Sequence, residues 1–231
     1  MAHACGVPIG AVQKRRTGAR RARDDDSPSG HRCPRCHGRA LDAVAYAHLL
    51  GLHLGDGHMV RVRAVHRLSI FCDNAWPGLI DEAARSMALT MPASSVSRRQ
   101  RQGCIEVMSY SLHRPCLFPQ HGPGRKHERE IKPAPWQEEI VRAHPGRFVR
   151  GLIHSDGCRG LNRVRRELSS GVRWYSYPRY HFKNESPDIL ALCGQALDLL
   201  GVAWRLNNRN EPSVARREAV ELLDRHVGPK Y

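Results

Sequence analysis

One short stretch of this chain is written twice: LLGLHLGDG at 49–57 and VRGLIHSDG at 149–157, each closing an apolar helical run on Asp-Gly. Duplication constrains the fold more than composition does, because two copies of one supersecondary unit fold alike and bury their unsatisfied faces against each other. In the first copy the helix leads into alternating residues in VRVRAVHRLSIFC, a helix in PGLIDEAARSMAL, and two short strands around Gln102-Gly103 in VSRRQRQGCIEVMSYS. The second copy keeps that order, with NRVRRELSSGVRWYSYPRYHF as hairpin, SPDILALCGQALDLLG as helix, VAWRLNNRNEPSVA as second hairpin and REAVELLDRHV as a closing helix. CDNAWPGLI at 72–80 lies over FKNESPDIL at 182–190, setting Asn74 on Asn184 at an offset of 110, against 100 for the helices. The extra residues belong to the second copy's first hairpin.

The repeated helices also carry chemistry. Gly51 and Gly55 sit four apart, and Gly151 and Ser155 take the same places in the second copy, so each helix has a stripe free of bulk. Two such stripes can pack backbone against backbone. If the helices run parallel, their C-terminal ends meet and Asp56 comes beside Asp156. Two carboxylates at two negative helix ends repel. A divalent cation removes the conflict, and magnesium needs only one or two carboxylates with waters and substrate phosphates. One copy alone reads as a core helix with a glycine C-cap; two copies, each with a matching hairpin and helix, read as a shared metal site.

A formal charge of +15 and a pI near 10.1 suit a polyanionic partner. Lys14, Lys126, Lys132, Lys183 and Lys230 are the lysines among 37 basic residues and the rest are arginines, whose fork fits phosphate oxygens and guanine edges. A GC-rich genome also favours Arg over Lys, but it does not explain the net excess. The apolar run from Ala43 to Leu54, interrupted by His48 and His53, falls short of the roughly 18 residues of a bilayer span, and the N-terminus lacks the apolar core of a secretory signal. The expectation is a cytoplasmic, nucleoid-associated protein without membrane contact.

The two motifs, their repeat order and both acids resemble the signature helices of LAGLIDADG homing endonucleases in their single-chain, two-repeat form, over about residues 42–228. The resemblance extends to actinobacterial members, labelled as regulators or endonuclease-domain proteins, that carry a CPRC segment before the first motif and a connector like CLFPQHGPGRKHER. It implies an α+β fold of two pseudo-symmetric αββαββα repeats, with antiparallel saddle-shaped sheets straddling double-stranded DNA and the signature helices paired at the centre. It also implies a monomer that cuts both strands with Mg²⁺, held at Asp56 and Asp156 with their neighbours Gly55 and Ser155. The chain then divides into a basic arm (1–41), a first repeat (42–111), a connector (112–147) and a second repeat (148–231).

Active family members often place a lysine near the last strand and helix of each repeat. Arg216 and Arg217 lie near that place in copy two, Arg217 being the candidate transition-state partner, whereas copy one has Met108-Ser109-Tyr110-Ser111 and no cation until His113. Arginine stays protonated, so it can stabilise charge but not act as a base. The alternative to a nuclease is a transcriptional regulator that kept the fold and lost catalysis. CGVPIGAVQKRR, Cys5 to Arg16, is consistent with it by its similarity to the turn and recognition helix of a helix-turn-helix whose first helix is missing; the other reading of that stretch is a disordered basic arm. A third reading is RNA processing of the intron-maturase kind.

Of eight cysteines, only Cys33 and Cys36 in HRCPRCH have ligand spacing. With Cys116 and His121 of the connector they could close a Cys₃His zinc site; the other reading is a pair of unliganded thiols in a turn. Candidate DNA contacts are Arg61, Arg63, Arg67, Arg98, Arg99 and Arg101 in copy one, and Arg163, Arg165, Arg166, Arg173, Arg179, Lys183, Arg205 and Arg209 in copy two. A two-stranded ribbon fits the major groove, and alternation turns one of its faces to bases and phosphates.

Overall fold

The computed structural model describes residues 33–231; the segment from Cys5 to Arg16 lies outside the described residues. The first half runs α1 (Ala43–Leu54), β1 (Gly57–Val62), β2 (Val65–Asp73), α2 (Pro77–Thr90), β3 (Val96–Gln100) and β4 (Cys104–Ser111). A connector holds the short α3 (Arg114–Leu117), a 3₁₀ turn at Lys126–Glu128 and α4 (Pro135–Ala143). The second half runs α5 (Pro145–Asp156), β5 (Gly157–Leu168), β6 (Gly171–Phe182), α6 (Pro187–Leu199), β7 (Arg205–Asn208), β8 (Glu211–Val214) and α7 (Arg217–Val227). Each half builds one four-stranded antiparallel sheet of the same topology, β1-β2-β4-β3 and β5-β6-β8-β7. The extra length falls where the shifted offset puts it: β5 and β6 have 12 residues each, against 6 and 9 in β1 and β2.

Local chemistry fixes the helix starts. Asp42 caps α1, its carboxylate accepting from the Ala45 amide at 2.8 Å, and Ser186 caps α6 through the Ile189 amide. Pro77, Pro145 and Pro187 open their helices where a missing N–H costs nothing. From Ala45 to Leu54, α1 is buried on every side, as a helix enclosed by others must be apolar all round. His48 and His53 are the polar exceptions, and burial drives both toward the neutral form, His48 down to about 3. Met59, Leu68, Ile70 and Val107 alternate onto the helix-facing side of the first sheet, while Tyr180, Phe182 and Val214 do so in the second. All of them belong to one continuous core spanning both halves.

The halves are tied by charge as well. Arg150 of α5 forks Glu82 of α2 at 3.0 and 2.6 Å, and the residues after α7 return to the first half. There the Gly78 amide donates to the Tyr231 carbonyl at 2.8 Å and the Tyr231 hydroxyl donates to Glu82 at 2.6 Å. Among the described residues, no helix is long and apolar enough to cross a membrane.

Candidate active site and nucleic-acid face

The repeated glycines form a seam. A Cβ on Gly51 would stand 2.3 Å from the Phe148 carbonyl oxygen and 3.0 Å from the Gly151 Cα; one on Gly151 would stand 2.3 Å from the His48 carbonyl oxygen and 3.0 Å from the Gly51 Cα. One step along, Gly55 faces Ser155, so α1 and α5 run parallel and their C-terminal ends meet. Asp156 Oδ2 reaches within 3.3 Å of the place where a Gly55 side chain would begin. Protein packed around the Asp56 carboxylate, with the Asp156 charge second, raises it to about 6, even though the residue reaches solvent at the rim. Burial raises Asp156 too, against the pull of an Asn184 hydrogen bond at 2.8 Å and of two lysines.

Those lysines were missed by sequence reasoning. The Lys126 ammonium donates to the carbonyls of His53, Leu54 and Gly55 at 2.6, 3.0 and 2.5 Å, closing the C-terminus of α1. Lys230 donates to the Gly157 carbonyl at 2.7 Å, just past α5. Each also crosses to the other half's acid: Lys126 shares a cleft with Asp156, Asn184 and Lys183, and Lys230 shares one with Asp56, Asp73 and Ser155. Burial lowers both lysines, Lys126 to about 8, while the two aspartates act in the opposite sense. Their scarcity was the available signal: in a chain that writes arginine almost everywhere, two of its few lysines lie in the connector and at the end of the second repeat.

Several expectations need correction. Arg217 sits exposed at the start of α7, paired with Glu221 at 2.9 Å, and no contact joins it to the acids; the helix start points it along its own surface. Ser155 turns its hydroxyl back to the carbonyls of Gly151 and Leu152, and the Gly55 carbonyl is taken by Lys126. Asn74, superposed on Asn184 by sequence, accepts from Gln100 at 3.3 Å instead of holding Asp56, so the two acids are supported differently.

The arginines divide by strand face. Arg98 shares the helix-facing side with Val107 and pairs with Asp81 of α2 at 2.7 Å, which removes it from the open face. Arg63 is in the β1–β2 turn at φ 54 rather than in a strand, and its carbonyl accepts from Arg61. Arg163 lies on the same side of its strand as the buried Tyr180, in the part of the hairpin exposed to solvent. Arg67 and Arg99 lie on the side opposite the core, around the fully buried Glu106, which Arg101 forks at 2.9 and 2.6 Å. In the second sheet Arg179 is nearly buried on the side opposite Tyr180, bonded to Asn207 and Ser213, with Tyr175, Arg173 and Arg166 exposed farther along that side. Lys183, Arg205 and Arg209 are exposed, Arg209 at 3.6 Å from Glu185.

Near the start of the described chain, Cys33, Cys36 and Cys116 come together, but their fourth neighbour is His113 and not His121. His113 precedes α3 and stands one helical turn before Cys116. His121 lies beyond the turn that follows α3, beside His66 at a ring separation of 6.4 Å.

No protein-family model matches the chain, and no curated protein does. Solved structures do. I-DmoI in complex with DNA and Mn aligns at TM-score 0.51 and 15% identity, covering 82% of this chain and 99% of that one. A double mutant of I-SmaMI aligns at 0.50 and 12%, covering 82% and 86%. The N-terminal LAGLIDADG domain of WhiA gives 0.49 and 10%, covering 82% and 83%. Paired parallel helices, duplicated sheets and the first two of these alignments together establish that the chain has the fold of the LAGLIDADG homing endonucleases.

Proposed function

We propose that this protein binds double-stranded DNA and hydrolyses its phosphodiester bonds with a divalent cation held between Asp56 and Asp156. The observation that carries the reading is the convergence of these carboxylates at the joined ends of two parallel, glycine-seamed helices, with one lysine beside each. I-DmoI, of the same fold, has been solved with its target DNA in the presence of Mg and with DNA and Mn.

The residues fit a hard cation. Both carboxylates are raised by their setting, so the charged pair gains from a positive ion, and carboxylate oxygens are the ligands magnesium prefers. When bound, such an ion polarises the phosphate and lowers the pKa of water. Asn184 orients Asp156. Lys126, lowered to about 8, would take a proton from water in its neutral form after releasing one of its three carbonyl contacts, and Lys230 offers positive charge to a phosphate. Outside the clefts, Arg99 and the exposed β5–β6 hairpin supply contacts to the duplex.

The test is to select bound duplexes from a random library and then add Mg²⁺. Specific cuts that vanish in Asp56→Asn and Asp156→Asn, with binding retained, support the reading. Tight binding with no cut under any divalent cation assigns the chain to the DNA-binding regulators instead.

A further inference from the structure

Two clusters of ligating side chains lie outside the acid clefts. One, His48 with Glu82 and His154, is already served by the Arg150 fork on Glu82. The other is Cys33, Cys36, His113 and Cys116, whose ligand atoms all lie within 4.8 Å of one another.

We propose that these four side chains hold one structural zinc ion that staples the segment before α1 to the connector after β4. The donors come as two short-range pairs, C-x-x-C and H-x-x-C, and each pair is set by its own local structure. Residues 33–37 form a turn closed by His37 N–H to the Cys33 carbonyl at 2.9 Å and by Cys33 N–H to His37 Nδ1 at 3.1 Å. The backbone amides of Cys36 and Arg35 face the Cys33 sulfur. His113 and Cys116 lie one turn apart at the start of α3.

Across the pairs, Cys36 Sγ is 3.2 Å from Cys116 Sγ, and Cys116 Sγ is 3.9 Å from His113 Nδ1. A disulfide has an S–S distance of about 2.05 Å. Zn–S bonds of about 2.3 Å put the sulfurs of a tetrahedral site roughly 3.8 Å apart. At 3.2 Å the sulfur pair lies between the disulfide length and that edge, well beyond a covalent bond, and three cysteines with one histidine complete the four ligands of a closed structural site.

The staple bears on the active site. Cys33 is fully buried in the common core, and α3 ends at Leu117, whose carbonyl accepts from Tyr46 of α1 and from Gln137 of α4. The connector so anchored is the one that delivers Lys126.

The protein, purified under reducing conditions without chelator, is expected to carry one zinc per chain by elemental analysis. The Asp56→Asn/Asp156→Asn double variant keeps that zinc, which separates this site from the catalytic one. His121→Ala keeps it, whereas His113→Ala and Cys36→Ser lose it. Cobalt exchanged into the wild-type chain reports the donors without any variant, through thiolate charge-transfer and tetrahedral d–d absorption. Absence of zinc with no cobalt spectrum, a Cys36–Cys116 disulfide that persists in the chain purified under those reducing conditions, or full zinc retention in Cys36→Ser would each overturn the proposal.

Discussion

Gly51 and Gly151 touch across the centre of the molecule, each occupying the space in which the other's side chain would begin. The obstructing atoms are backbone, the Phe148 and His48 carbonyl oxygens at 2.3 Å, so they cannot swing aside as a flexible side chain would. Gly51→Ala and Gly151→Ala are therefore expected to destabilise the protein by about 1–3 kcal/mol or more, a fall of several degrees in Tm for a chain of this size. Gly160→Ala, where nothing lies within 4 Å of the added carbon, serves as the control and should leave the unfolding transition near its place. Equal transitions for all three variants would contradict the seam.

The Asp56 carboxyl, raised to about 6 from an ordinary value of 3.8, makes a prediction of definite sign. Below 3.8 folded and unfolded chains are both protonated; above 6 the folded chain carries a charge it disfavours, so this group costs stability that is absent at low pH and complete above about 6. In chelator-treated protein Asp56→Asn should raise Tm at pH 7 and lose that advantage as pH falls below about 4. The same titration governs the cation, because the ligand must be deprotonated. Calorimetric binding of Mn²⁺ should weaken steeply as pH drops through about 6, and a pH-independent affinity would remove Asp56 from the metal.

The seam and the acids were legible because they follow from helical periodicity: residues four apart share a face, so two Asp-Gly endings in duplicated frames lead to a meeting of Asp56 and Asp156. The succession of helices and hairpins was legible as well, each hairpin being bounded by its own turn residues. What escaped depends on where long side chains end. Lys126 lies 71 to 73 residues from the carbonyls it closes, in a connector whose path no local pattern fixes, and α4 sits within that stretch. Arg98 and Arg99 are neighbours on opposite sides of one strand, and only the register shows which faces helix α2. The exchange of His121 for His113 has a similar origin: C-x-x-C announces half a metal site, but the partner pair is chosen by the helical turn of α3.

Lys126 should govern the pH dependence of cutting. Its neutral form gains population as pH rises through about 8, so a base at this position gives a rate that climbs between pH 7 and 9. Lys126→Met is expected to abolish that limb and to lower kcat by about 10²–10⁴. DNA affinity should be largely kept, while the loss of three capping hydrogen bonds lowers thermal stability. Lys132→Met, exposed and outside both clefts, should leave the profile unchanged. A pH profile identical in Lys126→Met and the parent would assign Lys126 to capping alone.

Arg98 and Arg99 offer the sharpest test of the DNA face, since adjacent residues differ only in the side of β3 they occupy. Arg99 is exposed on the side away from α2, whereas Arg98 is spent on Asp81 at 2.7 Å. A phosphate contact contributes a slope of about one in the dependence of log K on log salt. Arg99→Ala should therefore weaken binding to every duplex alike and reduce the salt slope by about one, as measured by fluorescence anisotropy over a salt series. Arg98→Ala removes a surface ion pair, with about 0–1 kcal/mol of stability, and should leave both affinity and slope in place. If Arg98→Ala instead produced the larger loss of slope, the duplex would have to lie on the helix-covered side of the sheet, which α1 and α2 already occupy.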